Sequence, residues 1–190
     1  FCGWQRQHGQ RTVQGAVEDA LAELLGGHCP VSAASRTDAG VHALGQVATV
    51  SIPLGRAPAS LARAIQTRLP PDVSVRSAFP APPAFHPQAC RIKRYAYTMR
   101  TGPLPAIERH ITWYLGTEQL DAHGMDAAAR AFEGRHDFRA FTSSKDTRAD
   151  CHCVIERARV YETHLDGAGQ ARRYRFEVSG DRFTYHMVRM

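Results

Sequence analysis

VIERARVYETHLDGAGQARRYRFEVS, residues 154 to 179, holds two alternating runs around a short polar centre. Val154–Thr163 and Arg172–Ser179 show the period of two of half-buried strands, and the second places Tyr174, Phe176 and Val178 on one face. Asp166-Gly167-Ala168-Gly169 between them reads as a hairpin turn, because Asp caps its own backbone and Gly accepts positive φ. A hairpin pairs its strands antiparallel without a crossover helix. A mixed, mostly antiparallel sheet with helices against it is therefore expected, an α+β fold.

Other segments extend this pattern. Thr12 is a candidate N-cap for a helix whose apolar positions Val13, Val17, Leu21 and Leu24 recur at helical spacing, with Glu18, Asp19 and Glu23 facing outward. Gly26-Gly27 ends it. A strand is expected over Val47–Ile52, and a second helix over Ser60–Leu69, stopped by Pro70-Pro71. Val73, Val75 and Phe79 suggest a further strand. Arg91 to Met99 alternates, with Arg91, Lys93, Tyr95 and Tyr97 on one side and Cys90, Ile92 and Ala96 on the other. Pro80 to Pro87 is a connection, and Thr101 to Pro105 is the expected boundary between two α+β halves, residues 1–104 and 105–190. In the second half, Asp121 precedes a helix carrying Met125, Ala128, Ala129 and Phe132, ended by Gly134.

The 190 residues suffice for a sizeable core, and a formal net charge of +6 favours a polyanionic partner. Basic residues cluster with aromatics in Ala89–Arg100, where Arg91, Lys93, Arg94 and Arg100 accompany Tyr95 and Tyr97, and again in Arg172-Arg173-Tyr174-Arg175. That combination suits nucleic acid, with guanidinium groups on phosphates and rings on bases; it equally describes two solvated strand faces. No apolar run approaches the ~20 residues that span a bilayer, so no membrane partner is expected. Five cysteines without a secretory signal point to a reducing compartment, hence the cytoplasm. Cys151-His152-Cys153, near His136 and His164, has C-x-C rather than C-x2-C spacing and no second cysteine pair, so no metal is expected.

The stretch Ser35–Val50 poses the functional question. Asp38 lies in the loop between the apolar run Val31–Ala34 and the strand from Val47, flanked by Arg36 and His42. Asp-Ala-Gly is a common turn, and the same arrangement suits an active-site carboxylate kept ionised by neighbouring positive charge.

Arg36-Thr37-Asp38-Ala39-Gly40-Val41-His42 resembles the signature of the tRNA pseudouridine synthase A family. Four more elements resemble that family in the same order: Gly3-Trp4-Gln5-Arg6-Gln7, Lys93-Arg94-Tyr95-Ala96-Tyr97, His136-Asp137-Phe138-Arg139-Ala140-Phe141, and Phe183-Thr184-Tyr185-His186-Met187-Val188-Arg189. The resemblance implies the pseudouridine synthase fold, with a central sheet flanked by helices and two similar halves around a basic cleft. It also implies a cofactor-independent homodimer that isomerises uridine in the tRNA anticodon stem-loop, at positions 38 to 40. Asp38 matches the catalytic aspartate. Arg36 matches the arginine that fills the space left by the extruded base, and Tyr95 the tyrosine that stacks on the uracil. Arg189 matches the basic residue paired with the aspartate. The family pattern also implies a strand before Gly3 and a helix beyond Arg189 in a longer chain. Gln88 stands where Arg is common, Thr184 where Leu or Val is usual, and Cys153 where Arg is frequent. A catalytically weak tRNA-binding or tRNA-folding protein of the same fold is the alternative. A zinc-binding interaction domain built on Cys151 and Cys153 is a second.

Overall fold

The computed structural model describes residues 1–52, 55, 57–164 and 171–189. The chain divides into two units, Phe1–Cys90 and Arg91–Met190.

In the first unit, helix α1 spans Val13–Leu25, and its first turn is closed by several partners. Thr12 Oγ1 accepts the Gly15 N–H at 3.3 Å. The carbonyls of Gly3 and Trp4 accept the N–H groups of Val13 and Gln14 at 3.2 and 2.9 Å. The orphan donors of the helix start are thus met without water. Gly26, at φ +77°, ends the helix as its sequence indicates. Strands β1 (Val31–Ala33) and β2 (Ala48–Val50) form an antiparallel ribbon, and α2 runs from Pro58 to Gln66. Pro58 occupies the first helical turn, where a missing N–H removes no hydrogen bond, so α2 starts before Ser60. Leu61, Ile65 and Leu69 are buried with Trp4, Ala20, Leu21, Val31 and Ala33 in one core.

Two expectations change here. Glu18 does not face outward: it is 3% exposed and accepts bonds from Arg6 Nε (2.7 Å), Gln14 Nε2 (2.9 Å) and Val31 N (3.0 Å). Burial pushes its pKa up, but the Val31 N–H, Arg6 and Gln14 outweigh that and hold the carboxyl below its ordinary value. The stretch 73–79 forms no strand. Gln66 takes the place of a neighbouring strand, donating from Nε2 to Val73 O at 3.2 Å and accepting the Val75 N–H at 2.7 Å. With those backbone groups satisfied by a side chain, no ladder forms.

The second unit contains β3 (Lys93–Thr101), β4 (Trp113–Tyr114), helix α3 (Ala122–Arg130), β5 (Gly134–Asp137), β6 (His152–His164) and β7 (Arg172–Gly180). Its sheet has the order β4-β3-β7-β6-β5, antiparallel except for β3–β4. β6 and β7 pair from His164↔Arg172 onward, while the expected Asp166–Gly169 turn lies outside the described residues. β3 pairs with β7 along its whole length, which places residues 91–104 in this unit, whereas the sequence reading sets the boundary after residue 104.

Asp121 caps α3, accepting the Gly124 N–H at 3.0 Å. The helix and the turn after it guard an edge of β6: Asp126 accepts the Val160 N–H at 2.9 Å, and Glu133, beyond the helix, the Ala158 N–H at 2.8 Å. Carboxylates on these groups block further strand addition. Ala129, Phe138, Cys153, Ile155, Ala158 and Val178 form the buried core, with Tyr95, Phe176 and Phe183 packed against it. The architecture is α+β in both units, helix-rich in the first and strand-rich in the second.

Candidate active site

Asp38 sits at the head of a β-turn. The Val41 N–H donates to Asp38 O at 3.1 Å, and Gly40 has φ +77°, a conformation that favours glycine. The turn suggested by Asp-Ala-Gly is therefore real. It does not exclude chemistry, because the turn leaves Asp38 half-exposed and Arg36 exposed.

The base of this loop is closed from several sides. Ala34 N donates to Val47 O at 2.9 Å, Gln46 Nε2 to Ser35 O at 2.6 Å, and Arg76 to Leu44 O at 2.8 Å. The tightest restraint comes from the N-terminal segment. Trp4 N donates to Thr37 O at 2.9 Å, and the Trp4 indole is buried in the core. Gly3 adopts φ +90°, and a Cβ there would lie 2.8 Å from Thr37 O and 3.3 Å from Asp38 C. Only glycine lets the two backbones approach so closely. Since Gly3 O and Trp4 O also cap α1, Gly3 and Trp4 couple the helix start to the Asp38 loop. The Gly3-Trp4 pair is visible in the sequence; its backbone role is not, because it depends on a partner more than thirty residues away.

Tyr95 and Arg189 lie in the second unit. Tyr95 is half-buried on β3, and its ring meets Phe183 edge-to-face at 4.9 Å and 78°. Phe183 begins the segment that carries Arg189, so this contact anchors that segment to β3. Arg189 is exposed, and its N–H donates to His186 O at 2.8 Å. His186 takes φ +64°, with its ring stacked on Tyr185 at 3.8 Å. Residues 185–189 form a set of turns.

A network around Asp146 holds this segment. Asp146 Oδ2 accepts the Tyr185 N–H at 2.8 Å, and Arg148 Nε donates to Asp146 Oδ1 at 2.9 Å. The Arg148 guanidinium, followed by the Tyr185 N–H, keeps the Asp146 carboxyl far below the usual carboxylate range. Ser143 N donates to Tyr185 O at 3.0 Å. Thr184, where the family pattern favours Leu or Val, is buried and bonds through its hydroxyl to Thr142 Oγ1 at 2.6 Å. Sequence reasoning did not single out Asp146 or Thr142; the only local sign was an Asp with Arg two residues later. Cys153 is likewise buried in the core, and burial pushes its thiol pKa up. Among the described residues, no group of three His, Cys, Asp or Glu side chains is placed to hold a metal ion.

The site residues thus form two pairs, Arg36 with Asp38 on one loop and Tyr95 with the Phe183–Arg189 segment on the other unit. A half-exposed carboxylate beside an exposed guanidinium in the first unit, and a half-buried aromatic ring in the second, are each the kinds of group that meet an extruded base or a phosphate backbone.

A family model described as tRNA pseudouridine synthase matches residues 1–88 and 128–190. Arg36, Asp38 and Arg189 fall within the matched segments and Tyr95 between them. The chain is 39% identical over 203 residues to the tRNA pseudouridine synthase A of Paracidovorax citrulli (strain AAC00-1), covering 100% of this chain and 72% of that protein. It is 37% identical to the enzyme of the same name from Delftia acidovorans (strain DSM 14801 / SPH-1), covering 100% and 73%. For that of Geobacter sp. (strain M21) the identity is 37%, covering 100% and 74%.

Proposed function

The chain belongs to the tRNA pseudouridine synthase family, and from that premise we propose that it isomerises uridine to pseudouridine in tRNA with Asp38 as its carboxylate. The N1–C1′ bond breaks, the uracil turns within the site, C5 joins C1′, the C5 hydrogen leaves as a proton, and N1 takes up a proton. Nothing is oxidised and no group leaves, so this chemistry calls on no cofactor. Asp38 acts at the ribose, either by attack at C1′ or by removing the C2′ proton.

Arg36 occupies the space left by the extruded base, and Tyr95 stacks on the uracil. Together they offset an extrusion that costs a few kcal/mol. Arg189 supplies positive charge for the carboxylate, and Asp146 is a positioning residue for its segment. The target is the anticodon stem-loop, at positions 38 to 40, and the enzyme works as a homodimer in the cytoplasm. All five cysteines are free, which fits a reducing compartment. No helix among the described residues is long and apolar enough to cross a membrane.

The observation that carries this reading is the built loop: a carboxylate on a turn locked against Gly3 and Trp4 by backbone contacts. The test is tritium release from a tRNA transcript containing [5-³H]uridine, with the parent protein beside Asp38→Ala. Release by the parent alone is expected. Equal release by both would remove Asp38 from the chemistry. No release from either, with the tRNA still bound, would favour the tRNA-binding protein.

A further inference from the structure

The antiparallel register sorts the second unit's sheet into two faces. Tyr95, Val178 and Ala158 share one row and turn toward the core, as do Phe176 and Val160 in the row beyond. Arg94, Ser179 and Arg157 share the row next to the Val178 row on its other side and turn to the opposite face, where both arginines are exposed. Val154 precedes the core residue Ile155, so it and its partner Arg135 also turn to that opposite face.

Strands lie about 4.8 Å apart, so Arg94 and Arg157 stand about 10 Å apart across β7, with only the small Ser179 between them. The Arg135–Val154 row lies about 7 Å further along the strands. At that end is a cavity of about 300 Å³ lined by Arg135, His152, Cys153, Val154, Asp181 and Arg182.

Charge on this face is unevenly matched toward the basic side, although the bulge after Ile155 also brings the exposed Glu156 beside Arg157. Asp181 Oδ1 is occupied by the Val154 and Arg182 N–H groups, Asp150 by Arg182 and His152, and Glu177 by Arg175. Among the described residues, no carboxylate pairs with Arg94, Arg135 or Arg157; Arg157 donates instead to Tyr161 Oη at 2.9 Å. A single unmatched arginine is ordinary surface. Three along one track, beside a cavity, are complementary to a phosphodiester chain, which presents regularly spaced negative charge.

We infer that this face of the second unit is an RNA contact, in which Arg94, Arg157 and Arg135 hold phosphodiester groups of the tRNA. The inference rests on the proposed function. The contact is electrostatic and blind to sequence, so it orients the tRNA without choosing the uridine.

The test is the salt dependence of binding to an unmodified tRNA transcript, between about 50 and 200 mM KCl. Each lost phosphate contact lowers the slope of log affinity against log salt by about 0.9. The Arg94→Ala/Arg135→Ala/Arg157→Ala variant should therefore lose about 40-fold less affinity than the parent over that range. The corresponding triple lysine variant should keep the parental slope, because a point charge suffices for a phosphate. A triple alanine variant with the parental slope would overturn the inference. So would an unchanged slope with altered sedimentation, which would assign the face to a second copy of the chain. If the parent itself failed to bind the transcript, the proposed function would fall first and this contact with it.

Discussion

Replacing Gly3 by alanine places a methyl group 2.8 Å from Thr37 O and 3.3 Å from Asp38 C, on a residue at φ +90°. Two costs add. An L-residue at positive φ loses about 1–2 kcal/mol. The contact cannot be relieved by rotating a side chain, since both neighbours are backbone, and overpacking of this kind costs about 1–3 kcal/mol. A loss of roughly 3 kcal/mol is expected. The least costly relaxation moves the Thr37-Asp38 peptide away from Gly3, and a catalytic group displaced by about 1 Å can lose about 100-fold in rate. Urea denaturation would measure the first quantity and single-turnover tritium release the second. Gly26→Ala is the control: φ is +77° there, and an added Cβ meets nothing within 4 Å. It should lose only the conformational cost and retain turnover. If Gly3→Ala were no less stable than Gly26→Ala and turned over at the parental rate, the close approach would not position Asp38.

Two further perturbations test the supports behind the site. Glu18→Ala leaves the Val31 N–H without its acceptor and deprives Arg6 of a buried partner, at a cost of about 3 kcal/mol, read as a fall in the urea midpoint. Because folding lowers the Glu18 pKa, its contribution is complete above the unfolded value of about 4.5 and lost as the pH falls through the folded value. Glu18→Gln should therefore flatten the acid limb of the stability–pH curve, and an unchanged limb would contradict the assignment. Asp146→Ala removes the acceptor of the Tyr185 N–H and loosens the segment carrying Arg189, so turnover should fall at least tenfold, an order-of-magnitude expectation for a lost positioning contact. Asp146→Asn, which keeps an acceptor oxygen for Tyr185, should recover part of it; equal loss in both variants would shift the emphasis to the Arg148 pair.

The ends of α1, the cap of α3 and the pairing of β6 with β7 were legible because their causes are local. Thr12, Gly26 and Asp121 act within a few residues of themselves, and strand alternation records which side chains meet the core. The resemblance placed Arg36, Asp38, Tyr95 and Arg189 by type and order. What local pattern could not disclose was any role set by a distant partner. Glu18 reads as a solvent-facing helix acid until Arg6 and Val31 arrive to bond it. Residues 73–79 have strand composition, yet Gln66 occupies the backbone groups that a strand would need. Gly3 is an unremarkable glycine until the Thr37-Asp38 backbone comes against it. The unmatched charge of Arg94, Arg135 and Arg157 emerges only when the register aligns their strands. Sequence determines which residues are able to form each element; tertiary structure decides which hydrogen-bonding groups and charges remain for function, since those balances are settled by contacts across long separations.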